Sequence, residues 1–552
     1  MNRQRLILVL AVLFTSALLR AQPVLKLVDP LEPVFPDSNT VGRYSNTYEA
    51  DFPSGTVADV HLLLDVQAGE SFTVSATVNG KPLPVSCWSQ LIDVPVEQNT
   101  GLDSRTEMYT NQQNPYVIRR APFRIYEAIQ PLAAARVRAQ HRFTALRLAV
   151  PPGELPTPGK ACIDITVEGD RWRQLGTFVA VIHRARLPQL KESTFFYTNW
   201  FSMVQMEEKH GLIRWSDGWY AMLDRYARMM AHGRQNCIII PAELITVSGG
   251  RITLDEGKMH RFIEVFRSHG FTSFESPHLM YRGDNDDWSD PDLKVLLTKR
   301  PYSTPEARRD VDTITTLIRN FTKKYGLVNS WLQHISDEPT GIQAQCYHQV
   351  VKQVRSVYPE IQIMEATSDR DTLAGAIDVW CPTIDDFQSH ESFFRGREKH
   401  NERILVYTCL IPGGRWLNRL LDQERLRQVY FGWGAAFYNT SGFLHWGLNQ
   451  YQVKDPFIQS VVHHPSPAAT PNNYLPAGDT HILYPGSDGP LSSTRFEAHR
   501  IGIEDFEMLH MLKQADRQKA AGVIAPVFRS YTDYNTDVKA YRTARRELLE
   551  KL

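Results

Sequence analysis

The first part of the chain consists of short runs in which apolar and polar residues alternate. Residues 161–167 carry an apolar side chain at every second position, so the predicted strand has one buried face and one face in water. Gly, Pro and Asn separate such runs, as at 78–81 and 150–153. This spacing of strands and turns predicts an all-β sandwich domain over residues 22–190.

After Pro188 the pattern changes, because strand-like runs now alternate with helical stretches. There are eight such runs, at 194–200, 237–241, 271–275, 331–335, 361–365, 377–381, 404–409 and 442–447. A (β/α)8 barrel of the TIM type requires eight strands with helices between them. We therefore predict an α/β protein in which the sandwich precedes a barrel over residues 191–460. Residues 461–552 are predicted to form a β and helical extension packed on the barrel.

The first 21 residues have the composition of a secretory signal peptide. Arg3 and Arg5 precede an apolar stretch at 6–19, and Ala21 offers a cleavage point. A membrane anchor is the competing interpretation, but the apolar stretch is shorter than the roughly 20 residues of a spanning helix. We expect a periplasmic or secreted protein with no membrane span after the signal is removed.

Charge and cysteine content narrow the classes of partner and cofactor. The chain has 61 basic and 61 acidic residues and a formal net charge of +0, so no nucleic acid or other polyanionic partner is expected. The six cysteines are dispersed without a C-x-x-C pair, and most are predicted to be buried small side chains. The chain contains no nucleotide-binding fingerprint and no Gly-x-Ser-x-Gly elbow, so we predict no cofactor.

An acidic segment at 284–290 invites comparison with a calcium-binding loop. It lacks the glycine at the sixth position and the glutamate at the twelfth position of such a loop. We therefore favour a polar loop at the active site and predict no metal site.

Two adjacent acids, Asp337 and Glu338, follow the apolar run at 331–335. Carboxylates are costly to bury inside a sheet, so this pair is expected at the open end of the strand, where solvent or a substrate can reach it. The alternative is an ordinary solvated turn in which Pro339 opens the next helix.

The ends of the other predicted strands carry aromatic, amide and acidic side chains. Such residues suit a sugar, which has apolar ring faces and a rim of hydroxyl groups. The candidate substrate-binding residues are Asn199, Trp200, Glu275, His278, Asp385, Tyr407, Trp446 and Asn449.

The seventh predicted strand ends at 407–412 without a carboxylate, although a retaining barrel glycosidase ordinarily has its nucleophile there. A 2-acetamido sugar supplies its own nucleophile, the amide carbonyl oxygen. We therefore assign Glu338 as general acid/base and Asp337 as the group that orients the acetamido N–H. An ionised Asp337 is also expected to raise the pKa of Glu338, as an acid catalyst needs.

Several motifs resemble those of glycoside hydrolase family 123, and together they extend the resemblance over most of the chain. The motifs are His-Ile-Ser-Asp-Glu-Pro at 334–339 and the segments 442–447, 478–486, 490–498 and 500–507. The resemblance implies a β-sandwich followed by a (β/α)8 barrel, and an exo-acting β-N-acetylgalactosaminidase with a substrate-assisted retaining mechanism. It also implies that the family's catalytic pair falls on Asp337 and Glu338.

Two alternatives remain open. The first is a glycosidase for 2-hydroxy sugars, in which Glu338 works with Glu275 or Asp385 as a separate nucleophile. The second is a non-catalytic carbohydrate-binding protein. In the leading hypothesis the partner is a glycan with a terminal β-linked amino sugar.

Overall fold

The computed structural model describes residues 23–38, 44–466 and 469–552. The predicted signal peptide at 1–21 lies outside the described residues. None of the described helices is long and apolar enough to cross a membrane.

Two mainly antiparallel sheets form the N-terminal region. The first contains, in order, Val24–Val28, Ala58–Asp65, Phe143–Val150, Trp88–Val96, Phe123–Pro131, Pro490–Ser493 and Tyr484–Pro485. The second contains Thr47–Ser54, Trp172–Arg186, Gly159–Gly169, Ser71–Val78 and Lys81–Pro82, and Arg136–Arg138 pairs with Ser71–Val78. Side chains from both sheets, including Leu62, Leu148, Ile163 and Phe178, share one apolar core. The prediction of a β-rich N-terminal region is confirmed.

Strand Gly159–Gly169 shows how the sequence pattern produces this core. Ala161, Ile163 and Ile165 are buried, whereas Cys162 and Asp164 between them are exposed. Successive side chains of a strand point to opposite faces of the sheet, so the alternating sequence alone decides which face of this strand is turned toward the core.

The C-terminal part of the chain contributes to the first sheet. Strand Pro490–Ser493 pairs antiparallel with Phe123–Pro131 and with Tyr484–Pro485. The domain boundaries at 190 and 460 stay predictions, but this sheet is assembled from both ends of the chain.

Nine short parallel strands form a third sheet. Their order is Arg403–Ile404, Val379–Cys381, Gln362–Ala366, Trp331–Gln333, Ser273–Glu275, Cys237–Ile239, Phe196–Asn199, Gly442–His445 and Val406–Tyr407. The two end strands of this order are separated in sequence by Leu405 alone, and they pair with opposite edges of the sheet. The sheet is therefore nearly closed, as in a barrel. Because its strands are parallel, their carboxyl ends lie at one edge.

Helices cover the outside of this sheet. They are Met203–His210, Asp217–His232, Glu256–Ser268, Pro305–Lys324, Ala344–Val357, Ile384–Ser389, Glu391–Glu398 and Leu426–Tyr438. The described connection at 367–378 contains turns and no helix. The regular (β/α)8 alternation is thus incomplete, because the chain passes from Gln362–Ala366 to Val379–Cys381 through a short turn segment that includes Gly375 at φ +87°.

The remaining elements are short hairpins, single helical turns and three C-terminal helices. The hairpins are Ile245–Ser248 with Arg251–Leu254, Met280–Tyr281 with Lys294–Val295, Val462–His463 with Tyr474–Leu475, and Phe528–Ser530 with Asp533–Tyr534. The short turns are Val85–Cys87, Glu107–Thr110, Pro152–Glu154, Leu190–Glu192, Ala242–Leu244 and Val328–Ser330. The C-terminal helices are Thr494–Ala515, Arg517–Ile524 and Val538–Glu550.

The long helix Thr494–Ala515 is almost entirely buried and packs on Leu426–Tyr438. Gly432 and Gly502 allow this close approach, since a Cβ atom on Gly432 would lie 1.8 Å from the Gly502 carbonyl oxygen. The same helix reaches the N-terminal sheets through Glu497, which pairs with Arg147 at 3.2 Å. This helix is therefore joined to the N-terminal sheets by a buried charge pair.

Candidate active site

The Asp337–Glu338 pair lies just beyond the end of strand Trp331–Gln333, at the carboxyl edge of the parallel sheet. Ile335 and Ser336 are buried, whereas the Asp337 side chain is 54% exposed and Glu338 is half-buried. Glu338 has φ +42°, in the left-handed region that a residue with a Cβ adopts at a cost. This turn directs the two acids out of the sheet toward the open end of the barrel.

Glu338 has a single protein hydrogen bond to its carboxylate in the described chain. The Tyr407 hydroxyl, at the end of Val406–Tyr407, donates to Glu338 Oε1 at 2.6 Å. Burial and the neighbouring Asp337 carboxylate raise the pKa of Glu338, and the hydrogen bond from Tyr407 acts in the opposite direction. A raised pKa favours the protonated carboxyl group, which suits a general acid.

Arg282 holds the backbone of this acid pair. Its Nη1 donates to the carbonyl oxygens of Asp337 and Glu338, and its Nε donates to Asp286 Oδ1 at 2.8 Å. The guanidinium carbon lies 3.7 Å from the centroid of the Trp288 ring. The loop that follows strand Ser273–Glu275 is thereby fixed to the candidate catalytic residues.

A fully buried group of charges lies beside the pair. His334 donates from Nε2 to Glu275 Oε2 at 2.9 Å and from Nδ1 to Glu365 Oε1 at 3.1 Å. Burial alone would lower the pKa of His334, but the hydrogen bonds to the two carboxylates raise the pKa to about 10. Glu275 also accepts from Trp200 Nε1 at 3.0 Å, and Glu365 accepts from the Tyr347 hydroxyl at 2.9 Å. We call Glu275, His334 and Glu365 the buried triad.

His278 lies between the buried triad and the acid pair. Its Nε2 is 3.8 Å from Asp337 Oδ1 and 3.9 Å from Glu365 Oε1, and this atom has no hydrogen-bond partner in the described chain. Burial and the nearby charge of His334 lower the pKa of His278 to about 4. His278 is therefore a neutral imidazole with a free nitrogen next to the acid pair.

Among the described residues, His278, His334 and Glu365 form the one group whose donor atoms lie close enough to hold a metal ion, within 4.8 Å of one another. Both ring nitrogens of His334 already donate to carboxylates, and its raised pKa keeps the ring protonated. A metal ligand must be the neutral imidazole. The group therefore fits a charged hydrogen-bond bridge better than a metal site.

Three of the predicted binding residues have side chains already engaged by the protein. The Asn449 side chain makes two hydrogen bonds to the backbone of Ser202: its Oδ1 accepts from the N–H group at 2.7 Å, and its Nδ2 donates to the carbonyl oxygen at 2.9 Å. These bonds connect the segments that follow the first and the last barrel strand in the chain. Asn199 is fully buried and donates to the Tyr197 hydroxyl at 3.2 Å, while its Oδ1 has no hydrogen-bond partner among the described residues. Trp446 is half-buried and donates from Nε1 to Asp479 Oδ1 at 3.2 Å.

Asp385 lies in the first turn of helix Ile384–Ser389, and it is half-buried with Oδ1 unpartnered within the described chain. Its neighbour Asp386 is occupied by ion pairs with Arg370 and His390. Asp385 Oδ1 and Asp386 Oδ2 are thus both buried oxygens without a hydrogen-bond partner among the described residues.

The predicted residues therefore divide into two groups. The first group is a continuous chain of contacts that runs from the acid pair to the buried triad. Tyr407 is bonded to Glu338, and the neighbouring Asp337 lies within 4 Å of His278. His278 lies within 4 Å of Glu365, and the chain continues through His334 and Glu275 to Trp200. In the described part of the chain, Asn199, Asp385, Trp446 and Asn449 make no hydrogen bond to the acid pair.

The sequence reasoning missed Arg282, Glu365, Tyr347 and Asp479. Glu365 lies in the fifth barrel strand, Gln362–Ala366, so a search of every strand end would have found it. Asp479 is buried, and burial raises its pKa to about 7. Nothing in the local sequence singles out Arg282, because its role depends on a hydrogen bond to Asp337, which lies 55 residues further along the chain.

Comparison with known proteins identifies the family. The family model described as "Glycoside hydrolase 123, catalytic domain" matches residues 200–512, which is more than half of the chain. The chain belongs to glycoside hydrolase family 123. It is therefore a glycoside hydrolase, as the motifs at 334–339 and 478–486 predicted.

The first of three similar solved structures supports the fold. A family 123 glycoside hydrolase from Clostridium perfringens, described in a study of glycolipid glycan hydrolysis, superposes with a TM-score of 0.70 at 12% identity and covers 96% of this chain and 97% of its own. A β-glucuronidase from Parabacteroides merdae has a TM-score of 0.33 at 8% identity, with 80% and 49% covered. An endo-β-1,4-mannanase from Thermotoga petrophila has a TM-score of 0.36 at 9% identity, with 58% and 78% covered. No match was found among curated protein sequences.

Proposed function

We propose that this family 123 enzyme removes terminal β-linked N-acetylhexosamine, specifically N-acetylgalactosamine, by an exo-acting, substrate-assisted retaining mechanism. The observation that carries the proposal is the contrast between the acids near the site. Asp337 and Glu338 are open to a substrate, whereas Glu275 is buried and bonded to His334 and Trp200. An enzyme-derived nucleophile at Glu275 would first have to leave those partners.

In the first step, the carbonyl oxygen of the substrate's own acetamido group attacks the anomeric carbon. The bond between that carbon and the glycosidic oxygen breaks, and Glu338 transfers its proton to the leaving oxygen. Asp337 accepts a hydrogen bond from the acetamido N–H and stabilises the positive charge of the oxazolinium ion. The protonated state of Glu338 is favoured by its burial and by the neighbouring carboxylate.

In the second step, Glu338 acts as a base because it is now ionised. It takes a proton from a water molecule, whose oxygen bonds the anomeric carbon as the oxazoline C–O bond breaks. The acetamide is restored, and two inversions at the same carbon return the β configuration. Tyr407, which donates to Glu338, stabilises the carboxylate form between the two steps.

Two further observations support a proposal for the kind of substrate and for the place where the enzyme works. The Clostridium perfringens relative is described in terms of glycolipid glycan hydrolysis, which supports a glycan chain as the substrate here. The N-terminal pattern at 1–21 supports export, so we propose that the enzyme works in the periplasm or outside the cell.

The test is a comparison of nitrophenyl glycosides that differ only at the sugar: β-N-acetylgalactosaminide, β-N-acetylglucosaminide, β-galactoside and β-glucoside. We expect release of nitrophenol from acetamido sugars alone, with the galacto sugar preferred. Glu338→Gln is expected to lower this release by about 10²- to 10⁴-fold. Glu264→Gln serves as the matched control, because Glu264 is a half-exposed glutamate on helix Glu256–Ser268.

Two results would contradict the proposal. Turnover of the 2-hydroxy glycosides would show that no acetamido group is required, and loss of that turnover in Asp385→Asn would identify Asp385 as the nucleophile. Saturable sugar binding without any turnover, unchanged in Glu338→Gln, would indicate a carbohydrate-binding protein.

A further inference from the structure

Trp288 is a large aromatic side chain that the protein leaves 44% exposed. It lies in the acidic loop between the paired strands Met280–Tyr281 and Lys294–Val295, on the connection that follows barrel strand Ser273–Glu275. Burying such a ring is favourable, so a Trp with only a packing role is expected to be covered.

The orientation of the Trp288 ring is fixed although the ring is exposed. Arg282 stacks on one face, with its guanidinium carbon 3.7 Å from the ring centroid. The indole N–H donates to Asp286 Oδ2 at 3.3 Å, and Asp286 is in turn bonded to Arg282. The apolar surface that stays open to solvent is therefore presented in a defined direction.

The backbone around Trp288 is also fixed. Gln343 is fully buried at the start of helix Ala344–Val357, and its Nε2 donates to the carbonyl oxygens of Trp288 and Asp290, at 3.0 and 2.8 Å. Lys294 pairs with Asp290 at 2.6 Å. The loop is thus held to the segment that directly follows the acid pair.

The contacts of Arg282 relate the position of the Trp288 ring to that of the acid pair. The same guanidinium that backs the ring donates to the carbonyl oxygens of Asp337 and Glu338. Arg282 therefore stands between the indole and the acid pair, so a sugar stacked on Trp288 is not the ring whose anomeric carbon reacts. Because an exo-acting enzyme removes the terminal sugar, every further ring of the glycan belongs to the leaving group, whose oxygen Glu338 protonates.

We propose that Trp288 is the binding platform for the leaving-group sugar, a pyranose that stacks its C–H face on the open face of the indole. The inference rests on the proposed function, because it assigns the side of the scissile bond from the removal of a terminal sugar. Trp288 is then a specificity residue that selects glycan chains over small leaving groups.

The experiment compares two kinds of substrate in one set of variants. N-acetyl-β-galactosaminyl fluoride has no leaving-group ring, whereas β-1,3- and β-1,4-linked N-acetylgalactosaminyl-galactose have one. For Trp288→Ala we expect kcat/KM to fall about three- to tenfold on the disaccharide that the wild type cleaves, and to stay unchanged on the fluoride. Trp288→Phe should keep most of the activity because it keeps an aromatic face. Phe437→Ala is the matched control, since Phe437 is also 44% exposed but lies on helix Leu426–Tyr438.

The other outcomes overturn the inference in distinguishable ways. An equal loss on both substrates would mean that Trp288 only supports Arg282 and the acid pair. No loss on either substrate, or a wild type that cleaves the fluoride but neither disaccharide, would exclude the platform while leaving the proposed function intact. A wild type that cleaves none of the three would contradict the proposed function itself, and the inference with it.

Discussion

The acid pair and the buried triad contain the same kinds of side chain within a few ångströms of each other, yet their surroundings differ. In the triad, His334 is bonded to both Glu275 and Glu365, and all three side chains are completely buried. In the pair, the Asp337 side chain is 54% exposed, and among the described residues the Glu338 carboxylate accepts one hydrogen bond, from Tyr407. Carboxylates that are fully hydrogen-bonded within the protein support the structure of the site. Carboxylates with few hydrogen bonds to the protein can still accept hydrogen bonds from a substrate.

The difference also explains which charge states are stable. A buried carboxylate is costly unless it is paired and hydrogen-bonded, and His334 meets that need for two glutamates at once. Among the described residues no cationic side chain is hydrogen-bonded to the Glu338 carboxylate, and burial and Asp337 raise its pKa. The pKa of Glu275 is thus held below its ordinary value by the hydrogen bond from His334, whereas burial raises the pKa of both Asp337 and Glu338.

The largest expected effect is on activity. Glu338→Gln should lower kcat/KM on a nitrophenyl N-acetylgalactosaminide by about 10²- to 10⁴-fold, the contribution of a positioned general acid. The loss should be much smaller with a dinitrophenyl leaving group, which departs without protonation. The melting temperature is expected to stay close to that of the wild type, since the pair does not hold the fold together. An equal loss on both leaving groups would contradict the acid role.

The triad should show the opposite behaviour. Glu365 accepts from His334, from Tyr347 and from the backbone N–H groups of Ile335 and Ser336. Glu365→Ala should therefore lower the free energy of unfolding by roughly 3–5 kcal/mol, because buried donors lose their acceptor. Chemical denaturation measures this, with Glu338→Gln as the comparison. Unchanged stability in Glu365→Ala would remove the distinction between the two groups.

Alkaline pH should weaken the triad selectively. The folded-state pKa of His334, about 10, lies above its ordinary value of 6.5. Its stabilisation is therefore fully present below about pH 6.5 and is lost as the pH rises through about 10. We expect the difference in melting temperature between the wild type and His334→Gln to shrink over that range. A difference independent of pH would show that the ring is neutral in the folded protein.

The smallest effect is expected from Tyr407→Phe. Removing the hydroxyl takes away the hydrogen bond that favours ionised Glu338, so the pKa of Glu338 rises further. The alkaline limb of the kcat/KM profile should then move to higher pH, with a stability loss of about 1 kcal/mol. A shift of that limb to lower pH would contradict the assignment of this limb to Glu338.

Much of the architecture could be predicted from local sequence. The runs at 194–200 and 331–335 contain strands Phe196–Asn199 and Trp331–Gln333 of the parallel sheet. Helix positions were less certain, because the segment 367–378 has turns where the barrel pattern predicted a helix. The pairing of Pro490–Ser493 with Phe123–Pro131 was not foreseen either, since it joins strands more than 350 residues apart in the chain.

The sequence by itself determined the strand periodicity, the family motifs and the position of Asp337 and Glu338 at a strand end. These properties depend on residue type and short spacing, and both can be seen in the chain alone. Only the tertiary structure decided which acids are neutralised and which are free. His334 meets Glu275 and Glu365 from 59 and 31 residues away, and Arg282 meets the acid pair from another loop. Hydrogen bonds and pKa values depend on distances of a few ångströms between such groups, and the folded chain alone sets those distances.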